Sequence, residues 1–172
     1  MEVYEAIRSR LTIRDFKPEP VPHKLVTKIL QAARWSPSAR NRQPWQFIVI
    51  RDQGILRQIG GIASSGRYIA QAPVGIAVLV AKVGRGEFDA ARAIQQMELT
   101  AWSEGLGTSM VGVNSAEQEQ VKTLLGIPED LQLITVMPFG YPTEQAKAGG
   151  KRRKPVSEIA HAERFGQQYV SG

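Results

Sequence analysis

The chain contains no cysteine and only two histidines among its 172 residues. Without cysteine there is no disulfide framework, no thiolate metal site and no cysteine nucleophile. The imidazoles, His23 and His161, lie far apart in sequence, which disfavours both a zinc site and a Ser-His-Asp triad. Long apolar runs are missing too: the longest, Val74 to Ala81, is far too short to span a bilayer. The opening Met-Glu-Val-Tyr-Glu is acidic and lacks the apolar core of a signal peptide. These absences lead to the expectation of a soluble, cytoplasmic protein. With 42% hydrophobic and 22% charged residues, the chain has the composition of one globular domain.

What is plentiful is positive charge, 22 Lys and Arg against 16 Asp and Glu, for a net charge of +6. Phosphate-bearing cofactors, nucleic acids and anionic membranes all suit that balance. Part of the excess is the run Lys151-Arg-Arg-Lys154, and part surrounds two loops as Arg8, Arg10, Arg14, Arg40 and Arg42. Aromatic residues are not interleaved with the basic ones as a single-strand platform requires, so neither nucleic acid nor membrane is expected as a partner.

Periodicity outlines the elements. Residues 2–10 read as a helix with Val3 and Ile7 on one face, and Leu25, Ile29 and Ala33 mark a second helix after the proline-broken 18–22 stretch. Ser36-Pro37 ends that helix, and a polar loop with Ser38, Asn41 and Gln43 leads into the strand Phe47–Ile50. Gln53–Ile59 reads as a short helix stopped by Gly60-Gly61, followed by an irregular stretch over 63–72. Val74–Ala81 has the continuous apolar pattern of a central strand covered on both faces. Phe88–Glu104 is the longest helix, Thr108–Val113 a short strand, and Ser115 the cap of a helix reaching Leu125. Leu131–Phe139 is the last strand, 143–150 a polar loop, and 156–169 a weak helix or extended arm anchored only by Ile159, Phe165 and Tyr169. So few anchors suit a segment that embraces a second subunit. Trp35, Trp45 and Trp102 read as core or interface anchors.

Three segments share a chemical theme: guanidinium groups in Arg8–Arg14, amides and a hydroxyl in Ser38–Gln43, and further cations in Lys151–Arg153. Together they suit a ligand with a phosphate at one end and a heteroatom-rich ring at the other. No paired carboxylates, catalytic histidine or activated serine can be assembled, as expected when a cofactor carries the chemistry.

Several stretches then match one family in order. Ala6-Ile-Arg-Ser-Arg-Leu-Thr-Ile-Arg-Asp-Phe16 and Ser36-Pro-Ser-Ala-Arg-Asn-Arg-Gln-Pro-Trp45 resemble the opening and the loop of FMN-dependent nitroreductases. Gly105-Leu-Gly-Thr-Ser-Met-Val-Gly112, Leu125-Gly-Ile-Pro128, Gly140-Tyr-Pro142 and Lys151-Arg-Arg-Lys-Pro155 follow in that family's order. The resemblance implies an α+β fold with a mixed, mainly antiparallel central sheet flanked by helices, and an intertwined homodimer. It implies one FMN-binding domain over 1–172, with 143–172 extending over the partner subunit.

By the same resemblance, Arg10, Leu11, Thr12 and Arg14 would hold the FMN phosphate, ribityl chain and ring edge, and Lys151 and Arg153 would complete the phosphate clamp. Pro37, Ser38, Ala39 and Asn41 would come from the other subunit. Val111 and Gly112 would run beside the flavin's reactive edge. The implied activity is hydride transfer from NAD(P)H through flavin N5 to a small acceptor such as a nitroaromatic or quinone, by a ping-pong mechanism. Two alternatives stay open: the same fold performing dehalogenation or ring fragmentation, and a non-enzymatic basic module that binds nucleic acid or other anions. The chain departs from the family pattern at Leu11 and Thr12, offers no carboxylate in Met110–Val113, and has only a brief connection at 81–89 where larger relatives carry insertions.

Overall fold

The structure, a computed structural model, describes residues 1–82, 84–148 and 150–169. Ten regular elements follow in the order α1 (Val3–Ser9), α2 (His23–Arg34), β1 (Trp45–Ile50), α3 (Gln53–Ile62), β2 (Val74–Ala81), α4 (Gly86–Ser103), β3 (Gly107–Thr108), α5 (Ser115–Leu125), β4 (Leu131–Gly140) and α6 (Glu144–Lys147). Short 3₁₀ turns occupy Ala39–Asn41, Arg67–Gln71 and Val156–Glu158. The strands form one antiparallel sheet in the order β1-β2-β4-β3. Among the described residues, the one parallel pairing is an isolated bridge between Thr12 and Thr108.

The apolar run in β2 is explained by its position. It pairs with β1 from Trp45↔Val80 to Ile50↔Gly75 and with β4 from Val74↔Phe139 to Ala81↔Leu131, so helices cover both of its faces. Ile76, Val78 and Val80 pack with Val26 and Ile29 of α2 and with Ile94 and Met97 of α4. Ala77 and Leu79 turn the other way, onto Leu56 and Ile59 of α3 and Val121 of α5. Alternation along the strand thus serves two cores. Among the described residues, no helix is long and apolar enough to cross a membrane.

Four expectations are corrected. Gly60-Gly61 does not stop α3, which continues to Ile62. A Cβ on Gly60 would lie 3.1 Å from both Ala70 Cβ and Arg67 O, so this glycine lets the helix press against the following turn. The strand expected over 108–113 is only Gly107–Thr108. Beyond it, Tyr68 Oη donates to Met110 O at 2.8 Å and Ser65 Oγ to Gly112 O at 3.0 Å, so side chains take the carbonyls that a ladder would have used.

The cap of α5 is Asn114, not Ser115. Asn114 Oδ1 accepts from Glu117 N, and Glu117 Oε2 accepts from Asn114 N, both at 3.0 Å. The polar 143–150 stretch contains α6, with Thr143 Oγ1 accepting from Ala146 N at 3.2 Å; Gly149 lies outside the described residues. Of the tryptophans, Trp45 is core, Trp102 is half-buried, and Trp35 is 77% exposed beneath Arg34. The tail keeps Ile159, Phe165 and Tyr169 exposed on its own chain; residues 170–172 lie outside the described part.

Candidate cofactor site

The segment after α1 is tied down twice. Trp102 Nε1 on α4 donates to Ser9 Oγ at 2.8 Å, and Ile13 N donates to Thr108 O at 2.9 Å. These bonds lay residues 9–13 between α4 and β3, with Ile13 fully buried and Thr12 and Arg14 exposed on either side of it. Gly107 permits the approach: a Cβ there would meet Ile13 Cβ at 2.5 Å.

Arg10 opens a cationic cavity of about 610 Å³ walled by Arg8, Lys151 and Arg153, with Tyr4, Gln95 and Leu99 behind them. A smaller cavity of about 250 Å³ shares Arg10, Lys151 and Arg153 and adds Leu11 and Thr12. Five expected site residues, Arg10, Leu11, Thr12, Lys151 and Arg153, are therefore brought together from the two ends of the chain. Lys151 reaches back to α1, donating from Nζ to Ile7 O at 3.1 Å. Partial burial, and then repulsion from Arg10, Arg153 and Arg8, holds its amine below the ordinary lysine pKa.

One carboxylate, outside the lining of both cavities, pairs with Arg10. Glu98 of α4 places Oε2 at 3.7 Å from Arg10 Nε, and burial raises its pKa against the opposing pull of Arg10. Arg10 Nη1 is buried without a hydrogen-bond partner. Four cations with one neighbouring carboxylate and an orphaned guanidinium nitrogen leave an excess of donors over acceptors, which suits an anionic ligand.

Arg14 stands apart from this cavity. Its guanidinium lies 5.6 Å from the Tyr68 ring centroid, and Tyr68 in turn bonds Met110 O. Arg14 is thus held beside the stretch carrying Val111, which is buried, and Gly112, which is exposed. Arg8, Arg10 and Arg14 do not form the single cluster that their spacing suggests.

Pro37, Ser38, Ala39 and Asn41 line neither cavity. Their loop is nonetheless built rather than loose. Ser38 Oγ accepts from Gln43 N at 3.0 Å, and both Asp89 carboxylate oxygens accept from Ala39 N, at 3.2 and 3.1 Å. Asp89 is 4% exposed in the first turn of α4, where the helix dipole favours its charge. Arg40, Asn41 and Gln43 hold φ of 54°, 54° and 48°, a left-handed conformation costly for side-chain-bearing residues and characteristic of ligand-clamping loops. Asn41 is left exposed at its tip.

Sequence reasoning missed Asp89 and Glu98, both in a helix read for its apolar spacing. The available signal was an acid at 89 in a first turn and an acid at 98 flanked by Met97 and Leu99. Among the described residues, no group of three or more His, Asp or Glu is placed to hold a metal.

Comparison with known proteins agrees with this geometry. The nitroreductase family profile matches residues 7–73 and 67–141. The chain belongs to the nitroreductase family. A protein of Methanothermobacter thermautotrophicus, provisionally named NADH dehydrogenase/NAD(P)H nitroreductase, is 38% identical over 151 residues, 84% of this chain and 79% of that one. An iodotyrosine deiodinase of Nematostella vectensis is 26% identical over 194 residues, covering 92% and 74% of the two chains. The crystal structure of a Parabacteroides distasonis protein, also provisionally named NADH dehydrogenase/NAD(P)H nitroreductase, superposes with a TM-score of 0.88 at 26% identity, over 95% and 98% of the chains. This nitroreductase-family chain is accordingly an oxidoreductase with the nitroreductase fold.

Proposed function

We propose that the protein is a homodimeric, FMN-dependent NAD(P)H oxidoreductase in which each flavin lies between two chains. The observation that carries this reading is the cavity where Arg8, Arg10, Lys151 and Arg153 converge with Arg10 Nη1 buried and unpartnered. Arg10, Lys151 and Arg153 hold the phosphate, Leu11 and Thr12 border the ribityl chain, and Arg14 with Val111 and Gly112 flanks the ring. Pro37, Ser38, Ala39 and Asn41 serve the partner's flavin, since within one chain their loop lines neither cationic cavity. Residues 143–169 lie over the partner, which covers the exposed Ile159 and Phe165.

FMN, when bound, supplies the hydride relay between NAD(P)H and a nitroaromatic, quinone or similar acceptor, in ping-pong order. The chain contributes binding and orientation: cations fix one end of the cofactor, and the strained Asn41 loop fixes the other. No side chain is assigned to proton transfer.

The reading is tested by the absorption spectrum of freshly purified protein and by titration with FMN. The expected result is a yellow protein whose FMN affinity falls by about tenfold or more in Arg10→Ala, as loss of a hydrogen bond between charged groups implies. Colourless protein that takes up no FMN at micromolar concentration would contradict it. The deiodinase-like relative favours reductive dehalogenation as a second reading, and turnover with NADH and NADPH against nitroaromatic, quinone and halogenated acceptors separates the two.

A further inference from the structure

Arg10, which lines the cation cavity, has a neighbour that a phosphate site does not require by charge alone, a nearly buried carboxylate that does not itself line the cavity. Glu98 is 8% exposed, and its Oε2 lies 3.7 Å from Arg10 Nε. Among the described residues, no other acid pairs with Arg8, Arg10, Lys151 or Arg153. A carboxylate beside a phosphate site weakens anion binding by repulsion, so its presence needs a compensating role.

The guanidinium of Arg10 is planar and presents two edges. Its Nε edge is turned to Glu98, while Nη1 is buried without a partner. Arg8, Lys151 and Arg153 line the same cavity and repel Arg10, and a free arginine side chain has about 2 kcal/mol of rotamer entropy favouring escape to solvent. Glu98 opposes both tendencies. The backbone at Arg10 does not depend on it, because Trp102 holds Ser9 and Ile13 is bonded to Thr108. Glu98 therefore acts on the side chain rather than on the path of the segment.

We propose that Glu98 is a positioning residue that fixes the Nε edge of Arg10 against α4, presents the Nη edge to the flavin phosphate, and so sets the preference for FMN over riboflavin. The proposal rests on the assignment of this cavity to the FMN phosphate. Burial raises the Glu98 pKa, and Arg10 opposes that rise, so Arg10 is the partner that favours the charged carboxylate.

The test is titration of FMN and of riboflavin into wild-type, Glu98→Ala and Glu98→Gln protein, followed by flavin fluorescence. Glu98→Ala should weaken FMN binding about tenfold, the size of a coupled charge pair, and leave riboflavin binding within about twofold. Glu98→Gln keeps an acceptor oxygen and should fall between the two. In an Arg10→Ala background, Glu98→Ala should add no further loss.

Equal weakening of FMN and riboflavin would reduce Glu98 to a fold-supporting residue and overturn the proposal. FMN binding as tight as wild type, or tighter, would overturn it as well, since the carboxylate would then be neutral or a competitor. If Glu98→Ala does not accumulate as folded protein, Glu98→Gln decides: an unchanged FMN-to-riboflavin ratio refutes the proposal. A wild-type protein that binds both flavins equally would instead refute the phosphate site itself.

Discussion

Arg10 and Lys151 carry the account at the residue scale because each is energetically incomplete alone. Arg10 has a buried nitrogen with nothing to donate to, and Lys151 sits among three arginines with its pKa lowered by partial burial and then by their repulsion. A lysine whose folded pKa lies below its unfolded value costs stability while it is protonated. Between the two values the unfolded chain holds more protons than the native one, so stability rises as pH increases through that window. An anion reverses the sense by favouring the protonated amine. The stabilisation conferred by FMN should therefore be largest below the folded pKa of Lys151 and decline as pH rises through it; Lys151→Met should remove that decline. Denaturant unfolding with and without FMN across the alkaline range measures this. An FMN-induced gain that is flat with pH in the wild type would contradict the placement of Lys151 at the phosphate.

At the scale of elements, α4 and β3 organise the site. Helix α4 holds the Asn41 loop through Asp89 in its first turn, pairs with Arg10 through Glu98, and fixes α1 through Trp102. Strand β3 is two residues long, yet Thr108 accepts from Ile13 N, and the bare Gly107 lets Ile13 pack within reach. Gly107→Ala would drive a methyl into Ile13 at 2.5 Å, and overpacking of that kind costs about 1–3 kcal/mol. The expected outcome is a lower unfolding midpoint together with weaker FMN binding, because Ile13 separates Thr12 from Arg14. Unchanged FMN affinity in a destabilised variant would show that β3 does not position the segment.

The same elements show what a one-dimensional reading captures. Helix α2 and strand β2 were legible because their apolar spacing reports burial directly, and β2 matches its expected span, Val74–Ala81. Gly60 reads as a stop because its role, a close approach to Ala70 beyond the expected helix end at Ile59, is invisible to local pattern. The strand expected at 108–113 was overdrawn because Tyr68 and Ser65 take its carbonyls. Asn114 was passed over for Ser115, although Glu117 three residues on from Asn114 completes the capping box. For the site, residue types at 10–12, 151 and 153 carried the cation theme, and the structure brings them together. Asp89 and Glu98 did not stand out, since an acid on a long helix is ordinarily a solvated charge.

Over the whole molecule, several elements leave large apolar side chains exposed. Val3, Tyr4 and Ile7 on α1, Phe88 on α4, and Ile159 and Phe165 in the tail are all exposed, and Phe165 is 92% so. The Asn41 loop is held in a strained conformation but lines neither cationic cavity of its own chain. A dimer in which each loop closes over the end of the partner's flavin opposite the phosphate would account for both features. Mixed dimers test it most directly. Lys151→Ala combined with Arg10→Ala disables the cations in one chain, and Ser38→Ala combined with Asn41→Ala disables the loop in the other. Each parent homodimer should retain no flavin at an FMN concentration that saturates the wild type. The heterodimer should retain about half the wild-type flavin, because one of its two shared sites is assembled from the intact half of each chain. A heterodimer as empty as its parents would contradict the shared site and place every flavin contact within a single chain.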